Sequence, residues 1–484
     1  MPSFPYFSVL TTFGVFCALF AIILQGFFAS QDLKRITEIL TNLLILENLD
    51  VVSQRVAVGY GSCKDLYVPG TQFLNYTIGQ CREECMGGEI FSRRDLFENF
   101  GYFFQRGAAA ERYTSNKSLF DELIRGASEN NLDTKWSLGG NAPVMAKRFH
   151  LEGAQVLLAA QMSSDLRKSI PKEILLSLSS SIEQDDIHLI LEYRSGEKWG
   201  PLRAPRANRF ILHNDQNNPT LSVLESLDPL LDDFKPRLFV VSGLQMMDNY
   251  PFANGVRAKR LAKVRKQVAS LPNETLVHFE MASYVEIELI DQLLKYVIPY
   301  CDSVGMNEQE LENLQRFLST RTVSLAADSN PRVAKTLRQM REVFSAIRTL
   351  PVNDPHRREL TRIHVHTLAY QAILIANASE WKNPINAVAK AALTAHRHVC
   401  GTSHINPDLA SLILDDSFAT TMTPNEPGSR RIKIHSTEPV SCWKEEISGT
   451  EVKICVAPVL VCKSARQTAG AGDNISAAGL ILQI

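Results

Sequence analysis

The sequence predicts an α/β protein in which a parallel sheet flanked by helices joins a smaller β-rich part. Short apolar segments at 238–241, 276–279, 301–304, 363–365 and 453–456 are separated by helical stretches. That alternation is the pattern of strand–helix–strand units in a parallel sheet. Glycine-bounded, alternating segments over 67–77 and 187–212 supply the β-rich part. The 484 residues, 45% of them hydrophobic, are enough for a large core and two lobes.

Taken in chain order, residues 5–30 carry no charged side chain, and 13–28 are almost continuously apolar. A stretch of that length is too long for an ordinary strand. It reads either as a secretory signal peptide, with small residues Ala29 and Ser30 at a cleavage point, or as an uncleaved membrane anchor. Both readings direct the chain to the secretory pathway, to the endoplasmic reticulum lumen or membrane, or to secretion. A helical pattern covers 36–49, and a strand at 51–58 ends at Gly59-Tyr60-Gly61. Residues 118–127 and 154–160 read as helices. The basic run 257–266 carries Leu261, Val264 and Val268 at helical spacing, so its charges form the wet face of an amphipathic helix. Residues 420–441, rich in Pro, Thr and Ser, read as a loop or hairpin.

The 51 basic and 52 acidic residues nearly cancel, so no global field recruits nucleic acid. Eight of the nine cysteines lie beyond the leader, where one or two disulfides are expected. Cys81 and Cys85 have no second Cys/His pair to complete a zinc site. Asn75, Asn116, Asn273 and Asn377 stand in glycosylation sequons. No internal repeat is present, and the chain is expected to be a monomer.

Polar residues follow the ends of the apolar strands: Ser242-Gly243-Leu244-Gln245, His278-Phe279-Glu280, Gly305-Met306-Asn307 and His366-Thr367. Ligands of open α/β sheets bind beyond the carboxyl ends of the strands, so these groups belong to one cleft. Near the C-terminus, Gly470-Ala471-Gly472-Asp473 precedes a short helix. Glycines let backbone amides approach a ligand, and a helix N-terminus favours an anion. Asp473 is there either an N-cap or a base that takes the proton of an attacking hydroxyl. Asn307 and Glu310 have the spacing of a capping pair as well as a strand-end position.

This turn, with Thr468 before it, resembles the signature of the ribokinase superfamily. His278-Phe279-Glu280, Asn307-Glu308-Gln309-Glu310, Gly107 to Arg112, Gly139-Gly140-Asn141-Ala142, Ala204 to Phe210 and Arg362 to Thr367 are similar to elements of its ADP-dependent glucokinases. The matches run from about Val58 to the C-terminus in the family's order. The resemblance implies a ribokinase-like, Rossmann-type large domain over 31–484, with a discontinuous lid within 66–105 and 182–228. It implies the reaction of ADP with D-glucose to give AMP and glucose 6-phosphate. Asp473 would be the base, with Gly470 and Gly472 holding phosphate. Glu280 and Glu310, beside Asp473, would hold magnesium mainly through water; His278, read by itself, is a satisfied core histidine and is assigned no metal. Asp65, Glu111, Gly140, Asn141 and His188 would contact glucose. Asn307, His366, Thr367, Gly472, Arg206 and the Cys462 backbone would contact ADP, with Arg209 a further phosphate candidate. Another acceptor, ATP as donor, or a silent luminal binding protein are the alternatives. The absence of G-x-x-x-x-G-K-[ST], G-x-S-x-G and H-E-x-x-H motifs disfavours P-loop ATPases and common hydrolases.

Overall fold

A computed structural model describes residues 30–49, 52–76, 89–129, 132–177, 182–328 and 330–484. The expectations for the leader and for Cys81 and Cys85 lie outside the described residues. A ten-stranded sheet forms the larger part. From one edge it runs Ser441–Ile447, Thr450–Pro458, Tyr370–Ala376, Arg362–His366, Ser303–Asn307, Leu276–Glu280, Leu238–Val241, Arg55–Gly59, Gln155–Ala159 and Leu175–Leu176. The seven strands from Arg362–His366 to Leu175–Leu176 are mutually parallel, and the other three pair antiparallel.

Side-chain alternation divides the core between the two faces. Val56, Val58, Leu238 and Val240 pack with helices Asn141–Leu151, Pro384–Cys400 and Ala471–Ile481. Ala57, Phe239 and Val241 pack with helices Val256–Ala269, Ile287–Tyr296, Glu308–Thr320 and Val333–Arg348. Strands covered on both faces tend to continuous apolar runs, and Leu238–Val241 is wholly apolar and buried.

That double coverage explains one correction. Residues 154–160, expected as a helix, contain the strand Gln155–Ala159, parallel to Arg55–Gly59. A short apolar run buried on both faces has no period that separates strand from helix. The basic run lies on helix Val256–Ala269, with Leu261, Val264 and Val268 buried. Within 420–441, Arg431–Lys433 pairs with Ser417–Ala419 as a small hairpin.

The smaller part is a five-stranded sheet in the order Ala110–Tyr113, Asn208–His213, Ile187–Tyr193, Cys63–Pro69 and Lys135–Gly139. Two of these strands, Ala110–Tyr113 and Lys135–Gly139, fall between the windows 66–105 and 182–228. Helices Arg93–Arg106 and Lys117–Glu129 close its core. The chain crosses between the sheets through Tyr60-Gly61-Ser62 and again at Gly140, where Lys135–Gly139 leads into Asn141–Leu151. Disulfides join Cys400 to Cys462 and Cys442 to Cys455, while Cys63 and Cys301 are buried thiols. Among the described residues no helix is long and apolar enough to cross a membrane.

Candidate active site

A cavity of about 1050 Å³ opens between the two sheets, and it gathers every site residue expected from the sequence. One wall is the start of helix Ala471–Ile481, packed between Pro384–Cys400 and Asn141–Leu151. Its small residues Ala477, Ala478 and Gly479 are fully buried and permit that close packing. Gly470 adopts φ 70°, the left-handed conformation, as the N-cap. Gly472 is needed for space, since a Cβ there would sit 2.9 Å from the His366 ring. The first amides of a helix have no intrahelical acceptor, so this end offers N–H groups to an anion in the cavity.

Asp473 lies in the first turn of the helix, and Gly470 occupies the cap position. The N-cap reading of Asp473 is therefore set aside. Asn141 Nδ2 donates to Asp473 Oδ1 at 2.9 Å, and Gln245 Nε2 fixes Asn141 by donating to its Oδ1 at 2.6 Å. Burial, reinforced by repulsion from Glu280, pushes the Asp473 carboxyl up to about 7.

Glu280 is buried too, with the opposite result. His278 Nε2 donates to its Oε2 at 2.8 Å, Ser476 Oγ to its Oε1 at 2.9 Å, and His366 Nε2 lies 3.4 Å from Oε1. Burial alone would raise this carboxyl, but His278 and His366 outweigh it and hold it at about 2. Burial keeps His278 below its ordinary range. A neutral ring accounts for its contacts: Nε2–H donates to Glu280, and Nδ1, 2.8 Å from Ser303 Oγ, accepts from that hydroxyl. Arg362 Nη1 completes the chain by donating to Ser303 Oγ at 3.0 Å.

Asn307 and Glu310 fulfil both of their readings. Asn307 Oδ1 accepts from the amides of Gln309 and Glu310, and Glu310 Oε2 accepts from the Asn307 amide. Asn307 Nδ2 also donates to Glu310 Oε1 at 2.8 Å. The pair is a capping box that lines the cavity, and burial pushes Glu310 up to about 8. Nearby, Thr367 Oγ1 donates to Tyr370 O, and Cys462 is tied to Cys400. Arg206 is engaged across the two parts: its Nε donates to Gly107 O at 2.7 Å and its Nη2 to Glu308 Oε1 at 3.0 Å. Arg209 also lines the cavity.

The far end belongs to the small sheet. Asp65 stands on strand Cys63–Pro69. Its carboxylate accepts from Cys63 Sγ and Tyr67 Oη, each at 3.2 Å, and burial lifts it to about 6. Glu111 comes from Ala110–Tyr113, and His188 from Ile187–Tyr193 lies between them, its Nδ1 3.7 Å from Glu111 Oε1. Ser476, His213 and Asp215 are not among the site residues expected from the sequence, where His278 reads as core only. A strand-end signal was available for His213 and Asp215, which finish and follow Asn208–His213.

The conserved region of ADP-specific phosphofructokinases and glucokinases matches residues 54–482. Over 432 residues the chain is 35% identical to an ADP-dependent glucokinase of Bos taurus, covering 88% of this chain and 84% of that protein. It is 26% identical over 321 residues to an ADP-dependent glucose/glucosamine kinase of Pyrococcus furiosus, covering 64% of this chain and 63% of that one. A solved ADP-dependent kinase in complex with fructose 6-phosphate and ADPβS shares the fold, with a TM-score of 0.62 at 16% identity over 93% of this chain and 97% of that one. With the matched region spanning both sheets and the helix that carries Asp473, the chain belongs to the ADP-specific phosphofructokinase/glucokinase family.

Proposed function

We propose that the chain is an ADP-dependent glucokinase, transferring the β-phosphoryl group of ADP to D-glucose to give glucose 6-phosphate and AMP. The observation that carries this is Asp473, a buried carboxylate with a proton affinity near neutrality, between a helix N-terminus and a carboxylate-lined end of the same cavity. The 35% identity to the Bos taurus enzyme supports the donor and the acceptor. Asp65 and Glu111 suit a neutral sugar, since paired carboxylates accept from vicinal hydroxyls and repel a second sugar phosphate.

In this reading Asp473 takes the proton of the terminal sugar hydroxyl as that oxygen attacks phosphorus. The amides at Gly470 to Asp473 hold the charge on the transferring group, and Asn141 keeps the carboxylate in place. Glu280 and Glu310 fit a hydrated magnesium ion. Glu280 is ionised but has three donors on its oxygens, and Glu310 is a buried acid that a nearby cation would favour as carboxylate. Among the described residues these two and Asp473 do not converge as direct ligands of one ion, which favours holding it through water. When bound, the ion neutralises phosphate charge.

Assay of the purified chain with glucose, magnesium and either nucleotide tests the proposal, and product is expected from ADP. Failure with both nucleotides would sink it, whereas turnover with ATP or only with fructose 6-phosphate would redirect it. We also place the protein in the secretory pathway as a monomer, with residues 5–30 as the segment through which it would associate with a membrane. The two disulfides and the exposed asparagines Asn75, Asn273 and Asn377 of the sequons support an oxidising lumen. N-terminal sequencing from the native host, together with light scattering, tests this: an intact Met1 or Pro2 start excludes cleavage.

A further inference from the structure

Behind the sugar-facing end of the cavity lies a carboxylate that does not line it. Asp215 is completely buried, just beyond strand Asn208–His213. His188 Nε2 lies 3.1 and 3.2 Å from its two oxygens, and Asn218 Nδ2 donates to Oδ2 at 2.6 Å. His213 Nδ1 is 3.3 Å from Oδ1 but poorly aligned, so it acts as a close electrostatic neighbour. The loop is itself fixed: Asp186 accepts from the backbone amides of Gln216, Asn217 and Asn218. Asn218 then grips the crossing segment, accepting from Ser62 N and donating to Ser62 O, both at 3.0 Å.

We propose that Asp215 is the positioning residue of the sugar subsite. It turns His188 so that Nδ1 faces the acceptor hydroxyls, and through Asn218 it fixes the segment that carries Asp65. The inference rests on reading this end of the cavity as the glucose subsite. His188, Asp215 and His213 are close enough to share a cation. However, the amide of Asn218 already donates to the same carboxylate, and an ionised Asp215 calls for a proton on His188 Nε2. The arrangement is a hydrogen-bond relay.

His188 is faced by Cys63 and Asp65 from Cys63–Pro69, by Glu111 from Ala110–Tyr113, by His213 from Asn208–His213 and by Asp215 just beyond that strand. Asp186 lies beyond Asp215. Burial would keep the imidazole neutral, but Asp215 first, then Glu111 and Asp65, override it and raise His188 to about 10. His188 is therefore a charged donor at neutral pH, held so mainly by Asp215.

Asp215→Asn keeps the shape and removes the charge. Its glucose KM, divided by that of the native enzyme at each pH, is expected to rise roughly 10–100-fold at pH 8. The ratio should be clearly smaller at pH 6, with kcat and the KM for ADP changed by less than about threefold. A ratio that does not vary with pH, or a loss confined to kcat, overturns the proposal. If the variant does not fold, the imidazole signal of His188 in the native protein decides. That signal, identified by its loss in His188→Gln, must remain protonated through pH 8, and a midpoint near the ordinary histidine value refutes the relay. A native protein that binds no glucose would fail the glucokinase reading, and the imidazole titration would still report on the relay.

Discussion

Asp473 and Asp215 are both buried aspartates near the two ends of one cavity, and their surroundings push them in opposite directions. Asp473 has one side-chain donor, Asn141, and an ionised neighbour, Glu280, so its carboxyl stands at about 7. Asp215 has His188, His213 and Asn218 around it and is held well below the usual carboxylate range, chiefly by the two imidazoles against the effect of burial. An under-satisfied acid is poised to accept a proton, whereas a satisfied one is a fixed charge that orients its partners. The largest effect follows from the first kind. Asp473→Asn is expected to lower kcat at least ~100-fold while leaving glucose binding, followed by calorimetry, nearly intact. A variant retaining a tenth of native kcat would remove Asp473 from proton transfer.

The next effect concerns how the phosphate end is shaped. In Gly472→Ala the new Cβ meets the His366 ring at 2.9 Å, so either the turn or His366, one of the groups around Glu280, must move. A drop in kcat/KM for ADP of roughly 10–100-fold is expected. A smaller shift sharpens the comparison itself. Glu280 contributes to the raised proton affinity of Asp473, so Glu280→Gln should move the acid limb of log kcat/KM toward lower pH by roughly one unit. The position of the limb is read apart from its height, which also falls. A limb that stays near pH 7 would leave burial as the whole cause.

Much of this was legible in the sequence, for identifiable reasons. Leu238–Val241 was predicted with its observed ends because both faces are covered and the run is uniformly apolar. The strand-end rule assigns Glu280, Asn307 and His366 to one cleft, and all three line the cavity. The same uniformity misled at Gln155–Ala159, where burial on both faces erased the period. Asn307 and Glu310 were posed as capping pair or cleft residues, and the fold makes them both. Asp215 was not legible as a positioning group. It stands in His213-Asn214-Asp215-Gln216-Asn217-Asn218, a segment that reads as a polar turn. Its meaning comes from His188, which a neighbouring antiparallel strand delivers.

The smallest effect is on stability, and it separates the two acids by sign. A carboxyl raised from its ordinary range to about 7 binds more protons folded than unfolded, so the Asp473 side chain costs stability increasingly as pH rises to about 7. Asp473→Asn should therefore melt with the native protein near pH 4 and above it at pH 8. Asp215 has a depressed folded value, so its contribution is present above the ordinary carboxylate range and is lost in acid. His188, raised to about 10, contributes fully below its ordinary value near 6.5, and that contribution is lost as pH passes about 10. Asp215→Asn should therefore be less stable, by about 1.5–3 kcal/mol for a hydrogen bond to a charged group, with the deficit greatest in weakly acidic solution. In a chain of this size each kcal/mol moves Tm by at most about 2–4 °C, so scanning calorimetry at several pH values is the appropriate measurement. Melting curves of the two variants that shift together across pH 4–9 would mean that the two aspartates sit in equivalent environments, and the division between a poised acid and a fixed one would fall.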